Sequence, residues 1–374
     1  MSLSIHEVTT KKELKSFIKF PVKLYQNVPQ YVPPIISFEL STLSKDKNPA
    51  FEHADAKYWL AMKDGEIVGR IAGIVLAQEA KEKQTVRFGW LDFIDDLDVS
   101  KLLFDTVIAW AKTKKLNNIH GPLGFTDLDF EGALVEGFDE TATQATIYNY
   151  PYYINHFEQF GFQKACDWVE YRFDLFNDLD EKINRTSNFI QKRTGFHAKE
   201  FKKSKDILNY SKQVFDLLND AYGHLYGYYA LSDKQIEYFT KLYFGFVKKD
   251  FVSIIVDKED TVVAFALTLP SLSKAFQKAK GYLFPFGFIP VLRAMKNNPL
   301  VDMFLIGVNP KMQKQGAYVL LLKDLNEAYR KANVRRVVTG PMLEENSNVT
   351  SLWSEYMKQD NSKTLRRRCF QKAF

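Results

Sequence analysis

The sequence has 374 residues and is 46% hydrophobic, which exceeds what one ordinary domain needs, so two domains with sizeable cores are expected. The net charge of +6, from 51 basic and 45 acidic residues, is too small for a nucleic-acid-binding protein but is compatible with a small polyanionic ligand. Cys166 and Cys369 lack paired spacing, which argues against a disulfide framework or a zinc site, so no metal is expected.

The sequence predicts neither a signal peptide nor a membrane helix. Met1–Lys12 has no signal-peptide pattern, and the longest apolar run, Tyr282–Leu292, is far shorter than the roughly 20 residues of a membrane helix. A cytoplasmic protein without a transmembrane segment is therefore predicted. The densest basic run, Arg366-Arg367-Arg368, is interpreted as solvated surface.

Hydrophobic spacing in the first half predicts a strand, a helix, a hairpin around an Asp-Gly turn, a further strand and a second long helix. In chain order these are Ser4–Thr9, Lys11–Gln26, Tyr58–Met62 with Ile67–Val75, Val86–Ile94 and Val99–Lys115. Asp98 is the expected N-cap of the last helix.

The second half repeats this order, which favours two copies of one fold. Its predicted elements are the helix Ser211–Leu225, the hairpin Phe251–Val256 with Thr261–Leu269, the strand Val301–Val308, the helix Gly316–Ala332 and the strand Val334–Pro341. Aligning Gly121-Pro122 with Gly340-Pro341 also places Asp105 against Asp324 and Lys112 against Lys331.

The most informative stretch, Val308–Tyr318, reads as strand, tight loop and helix. The first N–H groups of a helix have no internal acceptors, and the helix dipole favours negative charge there. With Gln313, Lys314, Gln315 and Gly316, such a loop can hold a phosphate group.

At these residues the sequence resembles the GNAT acyltransferase superfamily, whose loop V-x-P-x-x-[R/Q]-x-x-G-x-[G/A] binds the pyrophosphate of acyl-CoA. Val308, Pro310, Gln313 and Gly316 match, whereas Tyr318 stands where the family has Gly or Ala. The resemblance implies a mixed α/β (α+β) fold with two GNAT-like acyl-CoA N-acyltransferase domains in tandem. Each has a central, mostly antiparallel sheet flanked by helices, over residues 1–175 and 176–374, linked around residues 174–196.

The resemblance implies an acyl-CoA-dependent N-acyltransferase that uses acetyl-CoA or a longer acyl-CoA and a small-molecule or lipid amine. The cofactor-binding residues it implies are Ile306, Gly307, Val308, Gln313, Lys314, Gln315, Gly316, Ala317, Tyr318 and Asn346. Trp353 replaces the general-acid Tyr of the family, so the catalytic candidates are Tyr356, three residues on, and Glu345. In the first copy, Phe157 stands at the place of that Tyr.

The two copies differ at the phosphate loop. The alignment places Asp95, Asp96 and Asp98 of the first copy against the polar loop of the second, and ionised carboxylates repel a pyrophosphate. We therefore expect acyl-CoA only in the C-terminal copy.

Two aromatic segments have competing interpretations. Tyr226 and Tyr229, after the Ser211–Leu225 helix, are candidates to orient the amine or are core packing. The insertion around Phe284 and Phe286 is a wall for a long acyl chain, a patch that touches a membrane surface, or a loop packed between the domains. The alternative for the whole chain is a catalytically inactive binding or scaffold protein; the oligomeric state is left open.

Overall fold

The computed structural model describes residues 2–175 and 180–374, with backbone only for residues 180–182. Its strands form one mixed sheet. They are β1 Leu3–Glu7, β2 Ala54–Lys63, β3 Glu66–Leu76, β4 Thr85–Phe93, β5 Asn118–Gly121, β6 Ala133–Glu136, β7 Gln163–Asp174, β8 His197–Ala198, β9 Val252–Val256, β10 Val262–Pro270, β11 Leu300–Val308, β12 Arg336–Val338, β13 Met342–Leu343 and β14 Lys363–Ala373.

The helices flank this sheet. They are α1 Lys11–Leu24, α2 Ile36–Thr42, α3 Ala77–Lys83, α4 Leu97–Thr113, α5 Tyr152–Gln159, α6 Asp180–Thr194, α7 Ser211–Tyr222, α8 Asp233–Tyr243, α9 Ser273–Ala279, α10 Phe288–Lys296, α11 Ala317–Lys331 and α12 Ser347–Thr350. No helix in the described residues is long and apolar enough to span a membrane.

The sheet confirms the predicted fold class and the repeated order of elements. The main path of strands is β1-β2-β3-β4-β5-β14-β7-β12-β11-β10-β9-β8. Neighbours along it are antiparallel except for β4 with β5 and β11 with β12. These two parallel pairs occupy equivalent places in the two copies, and each copy has its own apolar core around α4 or α11.

The strands at the centre of the sheet are exchanged between the copies. The C-terminal strand β14 pairs with β5 of the first copy, while β7 pairs with β12 of the second copy. The strands β7 and β14 also pair with each other, with Cys166 opposite Cys369 and Asp167 opposite Arg368. The predicted boundary at 175/176 borders residues 176–179, which lie outside the described residues, and it stays a prediction.

The basic run is not the solvated surface that its composition suggests. In β14 alternate side chains face opposite sides of the sheet. Arg366 and Arg368 form ion pairs with Asp167, whereas Arg367 is buried and donates a hydrogen bond of 2.5 Å from Nη1 to the Ile147 carbonyl. Burial lowers the pKa of Arg367 to about 10.

Most of the elements that the sequence predicted lie within a few residues of their expected bounds. The Asp64-Gly65 turn forms as predicted, with positive φ at both residues. Three expectations are wrong: α7 ends at Tyr222, β12 is only three residues long, and Asp96 rather than Asp98 caps α4, because the Asp96 carboxylate accepts the Asp98 N–H. The expected linker contains α6, which packs on α11.

Candidate active site

The second copy has an opening in its sheet. β11 and β12 are paired only over Leu300–Asp302 and Arg336–Val338, after which the chain turns at Gly340. Beyond this turn Met342 and Leu343 pair with β7 instead of β11. The strands therefore diverge, and among the described residues no strand pairs with this edge of β11 beyond Asp302.

A β-bulge lies on β11 at the mouth of this opening. Opposite Leu267 and Thr268 of β10, the chain of β11 steps from Leu305 to Met303, so Phe304 is an extra residue in the ladder. Bulges leave a residue unpaired and re-aim the backbone, and they are common beside active sites. Phe304 lines the cavity described next.

The opening leads into a cavity of about 340 Å³, within the size range of small-molecule sites. Its walls are mostly apolar and come from both copies. The first copy contributes α2, Trp90 and the loop before β6, and the second copy contributes α7, α8, the strands β9 to β11 and the segment after β12. Such a cavity suits an apolar chain.

Four carboxylates stand out in this apolar lining: Glu39, Asp127, Asp129 and Glu131. Burial raises the pKa of Asp127 and of Asp129 to about 6 and that of Glu39 to about 7. Burial, reinforced by the negative charge of Asp127, also raises the pKa of Glu131. Glu39, Asp127 and Asp129 are therefore suited to exchange protons near neutral pH.

The carboxylate loop belongs to the first copy but packs on the second. A turn holds it, because the Thr126 N–H donates to Asp129 Oδ2 at 3.0 Å and the Gly132 N–H to the Pro122 carbonyl at 2.9 Å. Leu128, between the acidic residues, packs in the apolar cluster of α7 and β10. The first copy thus supplies the acidic wall of the second copy's cavity.

Tyr222 links this acidic loop to β11. Its hydroxyl donates to the Ile306 carbonyl at 3.0 Å. Burial and then the nearby charge of Asp127 raise the pKa of Tyr222. Asp127, Tyr222 and Ile306 all line the cavity, so the acidic loop and this part of β11 face the same space.

Three polar side-chain atoms of the lining have no hydrogen-bond partner among the described residues, and one of them is the acceptor Oε1 of Gln144. Trp353 is 3% exposed and its Nε1 donor is unpartnered, and the acceptor Oε1 of Glu131 is in the same state. Leaving such atoms unpaired in an apolar site is costly. A ligand that accepts from Trp353 and donates to Glu131 would remove that cost for these two atoms.

The predicted phosphate loop has the expected form. Gly316 has φ +85° and precedes the first helical residue, Ala317. Lys311 and Lys314 are exposed beside it, and Arg193 of α6 donates to the Gln315 carbonyl at 3.4 Å. The loop thus offers helix-start amides and cations to a pyrophosphate.

The structure brings only part of the predicted cofactor set to the cavity. Ile306 and Asn346 line it, and Val308 ends β11 just before the loop of Gln313, Lys314 and Gln315. Gly307 packs against Phe265, where a side chain would lie 2.6 Å from the ring. Ala317 is buried and Tyr318 packs on the core beneath the helix.

The predicted catalytic and substrate residues lie outside the cavity lining. Tyr356 is buried in the second core, where its hydroxyl accepts from Asn326 Nδ2 at 3.4 Å, and Glu345 is exposed. Tyr226 hydrogen-bonds to His120 at 2.7 Å. The ring of Tyr229 packs against Arg87.

Phe284 and Phe286 are 80% and 72% exposed, so these two rings do not pack between the domains. A substrate role for them, and the catalytic roles of Tyr356 and Glu345, stay predictions.

Sequence reasoning missed the carboxylate loop. The run Thr126-Asp127-Leu128-Asp129-Phe130-Glu131 alternates acidic and other residues soon after Gly121-Pro122. That alternation was the available signal. It gave no hint that the acidic residues of one copy reach the cavity of the other.

The chain is similar to two curated proteins over most of its length. No family model matches the sequence. The chain is 27% identical over 353 residues to protein YghO of Escherichia coli, covering 91% of this chain and 89% of that protein. It is 27% identical over 322 residues to the bacterial ceramide synthase of Caulobacter vibrioides, covering 83% of this chain and 82% of that protein.

Among solved structures, a tandem GNAT protein from the clavulanic acid biosynthesis pathway is similar over 100% of this chain and 98% of its own. The TM-score is 0.58 and the sequence identity 11%. The chain has the tandem GNAT fold. Because the sequence identity is low, this similarity establishes the fold alone. In the second copy, the cavity opens where β11 and β12 diverge.

Proposed function

We propose that the protein is an N-acyltransferase that transfers an acyl group from acyl-CoA to a primary amine carrying a long apolar chain. The single observation that carries the proposal is the apolar cavity with buried carboxylates that reaches the opening between β11 and β12. The similarity to a protein named bacterial ceramide synthase supports a lipid amine as the acceptor.

The carboxylates would bind and deprotonate the amine. Asp127, whose pKa is raised to about 6, would attract an alkylammonium ion and accept its proton, and the unpartnered Oε1 of Glu131 would accept a hydrogen bond from the amine. The free amine then attacks the thioester carbonyl, the C–S bond breaks, and the products are an amide and the thiol of CoA. The carboxyl group then loses this first proton to solvent, and the second proton, which leaves the attacking nitrogen as the amide forms, passes to the thiolate and gives the thiol.

We propose that two groups assist the transfer. Backbone N–H groups at the Phe304 bulge would polarise the thioester carbonyl, as donors aimed at a developing oxyanion do. The unpartnered indole N–H of Trp353 would donate to the departing sulfur or to the carbonyl oxygen. Trp353 cannot deliver a proton, so its role differs from that of the Tyr it replaces.

The CoA moiety would lie along the end of β11 and the start of α11. The amides at Ala317 and Tyr318, with Lys314 and Lys311 nearby, suit its pyrophosphate. The acyl chain and the chain of the amine would share the apolar cavity.

A first experiment separates cofactor binding from catalysis. Calorimetric titration of the full chain with acetyl-CoA and palmitoyl-CoA is expected to show binding that the Gln313→Glu/Lys314→Glu variant weakens at least tenfold, because added carboxylates repel the pyrophosphate. The substitution Gly316→Glu is unsuitable, since Gly316 has positive φ and a Cβ there would lie 2.6 Å from Ile190. Asp95→Ala, in the equivalent loop of the first copy, is the matched control and should bind normally. If wild type binds neither ester, the proposal fails.

A second experiment tests the acceptor. Thiol release from palmitoyl-CoA is followed with sphinganine and with a short amine of the same head group. Asp127→Asn is expected to lower the rate by about 10²- to 10⁴-fold, the usual contribution of a general base. Asp139→Asn, an exposed carboxylate in the same chain region, is the control.

The second candidate is a protein that binds acyl-CoA without transferring the acyl group. Trp353 and Phe157, which stand where the family has Tyr, favour it. Normal binding of palmitoyl-CoA with no thiol release for any amine would decide for this candidate.

A further inference from the structure

The helices α9 and α10 form a hairpin whose turn carries exposed apolar side chains. We call the set Tyr282, Phe284, Phe286, Phe288 and Leu292 the aromatic tip. Phe284 is 80% exposed, Phe286 72% and Leu292 58%, while Tyr282 and Phe288 are 45% and 37% exposed. Large apolar side chains that are grouped on the surface mark an interaction site.

The backbone of the tip is held in place. The Ile36 N–H donates to the Gly281 carbonyl at 2.9 Å, and the Phe288 N–H donates to the Leu283 carbonyl at 2.7 Å. Gly287 passes so close to the Tyr282 carbonyl that a Cβ would lie 1.7 Å from it. The rings of Phe284 and Phe286 therefore project from a fixed turn.

The charged residues of the segment that carries the tip are all basic. Residues 271–300 contain no Asp or Glu, and they contain five basic residues, all exposed: Lys274, Lys278, Lys280, Arg293 and Lys296. Lys19 of the neighbouring helix α1 adds a cation, 5.4 Å from the ring centre of Tyr282. Exposed aromatics within a basic rim are complementary to the interface of an anionic bilayer, where rings insert and cations meet phosphate groups.

The elements that carry the tip also form a wall of the cavity. Leu272 precedes α9, Phe276 lies within it, and both line the cavity. Pro34 and Ile35, directly before the residue that bonds to Gly281, line it as well. A surface that binds the tip would thus lie next to one side of the cavity.

We infer that the aromatic tip docks the protein on the surface of an anionic lipid membrane. Phe284 and Phe286 insert at the level of the headgroups, and the surrounding Lys and Arg side chains contact lipid phosphates. This binding does not require the acyl-transfer reaction. If the proposed acceptor is a lipid amine, the same contact would place the cavity wall beside the membrane that supplies it.

Vesicle co-sedimentation of the full chain tests the inference. Wild type is expected to bind phosphatidylcholine vesicles that contain phosphatidylglycerol, with weaker binding to pure phosphatidylcholine and at high salt. Phe284→Ser/Phe286→Ser should lower the partition coefficient on the order of tenfold or more, because two rings no longer leave water. Lys278→Glu/Arg293→Glu should lower binding to the anionic vesicles alone.

The matched control is Phe189→Ser, which removes a ring that is 61% exposed on α6, outside the tip. It should bind vesicles as wild type does. Absence of wild-type binding to anionic vesicles, or full binding by the double Phe variant, would overturn the inference. So would a loss of self-association in the double variant with vesicle binding intact, since the tip would then serve a second copy. Titration of the same variants with acetyl-CoA, which has no long acyl chain, should be unchanged, which separates this result from the proposed reaction.

Discussion

The two copies show how one arrangement of strands can be closed or open. In each copy a parallel pair makes three register positions, Thr85–Arg87 with Asn118–His120 and Leu300–Asp302 with Arg336–Val338. In the first copy the chain after β5 stays against β4, since the Leu123 N–H donates to the Phe88 carbonyl at 2.8 Å. In the second copy the chain moves to β7. The position of that one segment decides whether a cavity forms.

The two copies also differ in the residue at the third register position of the parallel pair. In the first copy this residue is Arg87, fully buried and paired with Glu79 at 2.7 Å, and its guanidinium also donates to the carbonyls of Gly124 and Gly227. Burial alone would raise the pKa of Glu79, but hydrogen bonding from His120 and the charge of Arg87 lower it to about 2. In the second copy the residue is Asp302, whose pKa burial raises to about 7.

The loops after the two strands also diverge. Asp96 of the first copy accepts the Asp98 N–H and pairs with Lys63 at 2.7 Å, so a carboxylate of the chain itself occupies the start of α4. At the start of α11, Gly316 has no side chain to do this. In the first copy, the chain's own carboxylate therefore binds an N–H group at the start of the helix. In the second copy, the N–H groups at the start of the helix are offered to a ligand.

The largest expected effect comes from breaking the strand exchange. Removing residues 363–374 takes β14 from between β5 and β7 and exposes the core around Leu365 and Phe370. We expect a chain without cooperative unfolding, measured by circular dichroism during urea titration. Removing residues 2–7, which form an edge strand paired only with β2, should leave a folded protein. A cooperative transition in the C-terminal truncation would show that the copies do not depend on the exchange.

Breaking the buried ion pair of the first copy should have the next largest effect. Arg87→Met leaves Glu79 buried without its main counterion and should destabilise the protein by about 3–5 kcal/mol, measured by urea unfolding. The double variant Arg87→Met/Glu79→Leu should recover most of that loss, because no uncompensated charge remains. Asp302→Asn, at the equivalent place in the second copy, should be neutral or stabilising. Equal losses at both places would contradict the difference between the copies.

The pH dependence of stability separates the two sets of carboxylates. Asp127 and Asp129 have folded pKa values of about 6 against an ordinary value of 3.8, so the folded protein holds protons that the unfolded chain has released. Their contribution to the free energy of unfolding falls as pH rises from about 4 to about 6 and is constant above. Glu79 acts in the opposite direction, since its contribution is lost as pH falls from 4.5 towards about 2.

Urea unfolding at a series of pH values between 4 and 7 measures how the free energy of unfolding depends on the titration of Asp127 and Asp129. Relative to wild type, Asp127→Asn/Asp129→Asn should gain stability as pH rises, by about 5 kcal/mol in total. Glu136→Gln, an exposed carboxylate, should run parallel to wild type. A constant difference between the double variant and wild type across this range would show that the two carboxyl groups titrate normally.

The features that the sequence predicted correctly depend on residues that are close together in the chain, whereas the features that it missed join residues that are far apart. The hairpin at Asp64-Gly65 and the loop before Ala317 depend on neighbouring residues, and both were predicted. The pairing of Arg368 with Asp167 joins residues far apart in sequence, and composition made that basic run look solvated. The carboxylates of the candidate site were missed for the same reason, since the hydrophobic pattern assigns a loop to its own copy and cannot show that it packs on another.

The smallest expected effect concerns the capped loop of the first copy. Asp96→Ala removes an N-cap and should cost about 1 kcal/mol in urea unfolding, whereas Asp98→Ala should change stability little, because the Asp98 side chain does not cap the helix. Neither change should create acyl-CoA binding in the first copy, since the chain there remains closed by the bond from Leu123 to Phe88. A second calorimetric binding site in Asp96→Ala would mean that the carboxylate alone, and not the closed strands, keeps the first copy empty.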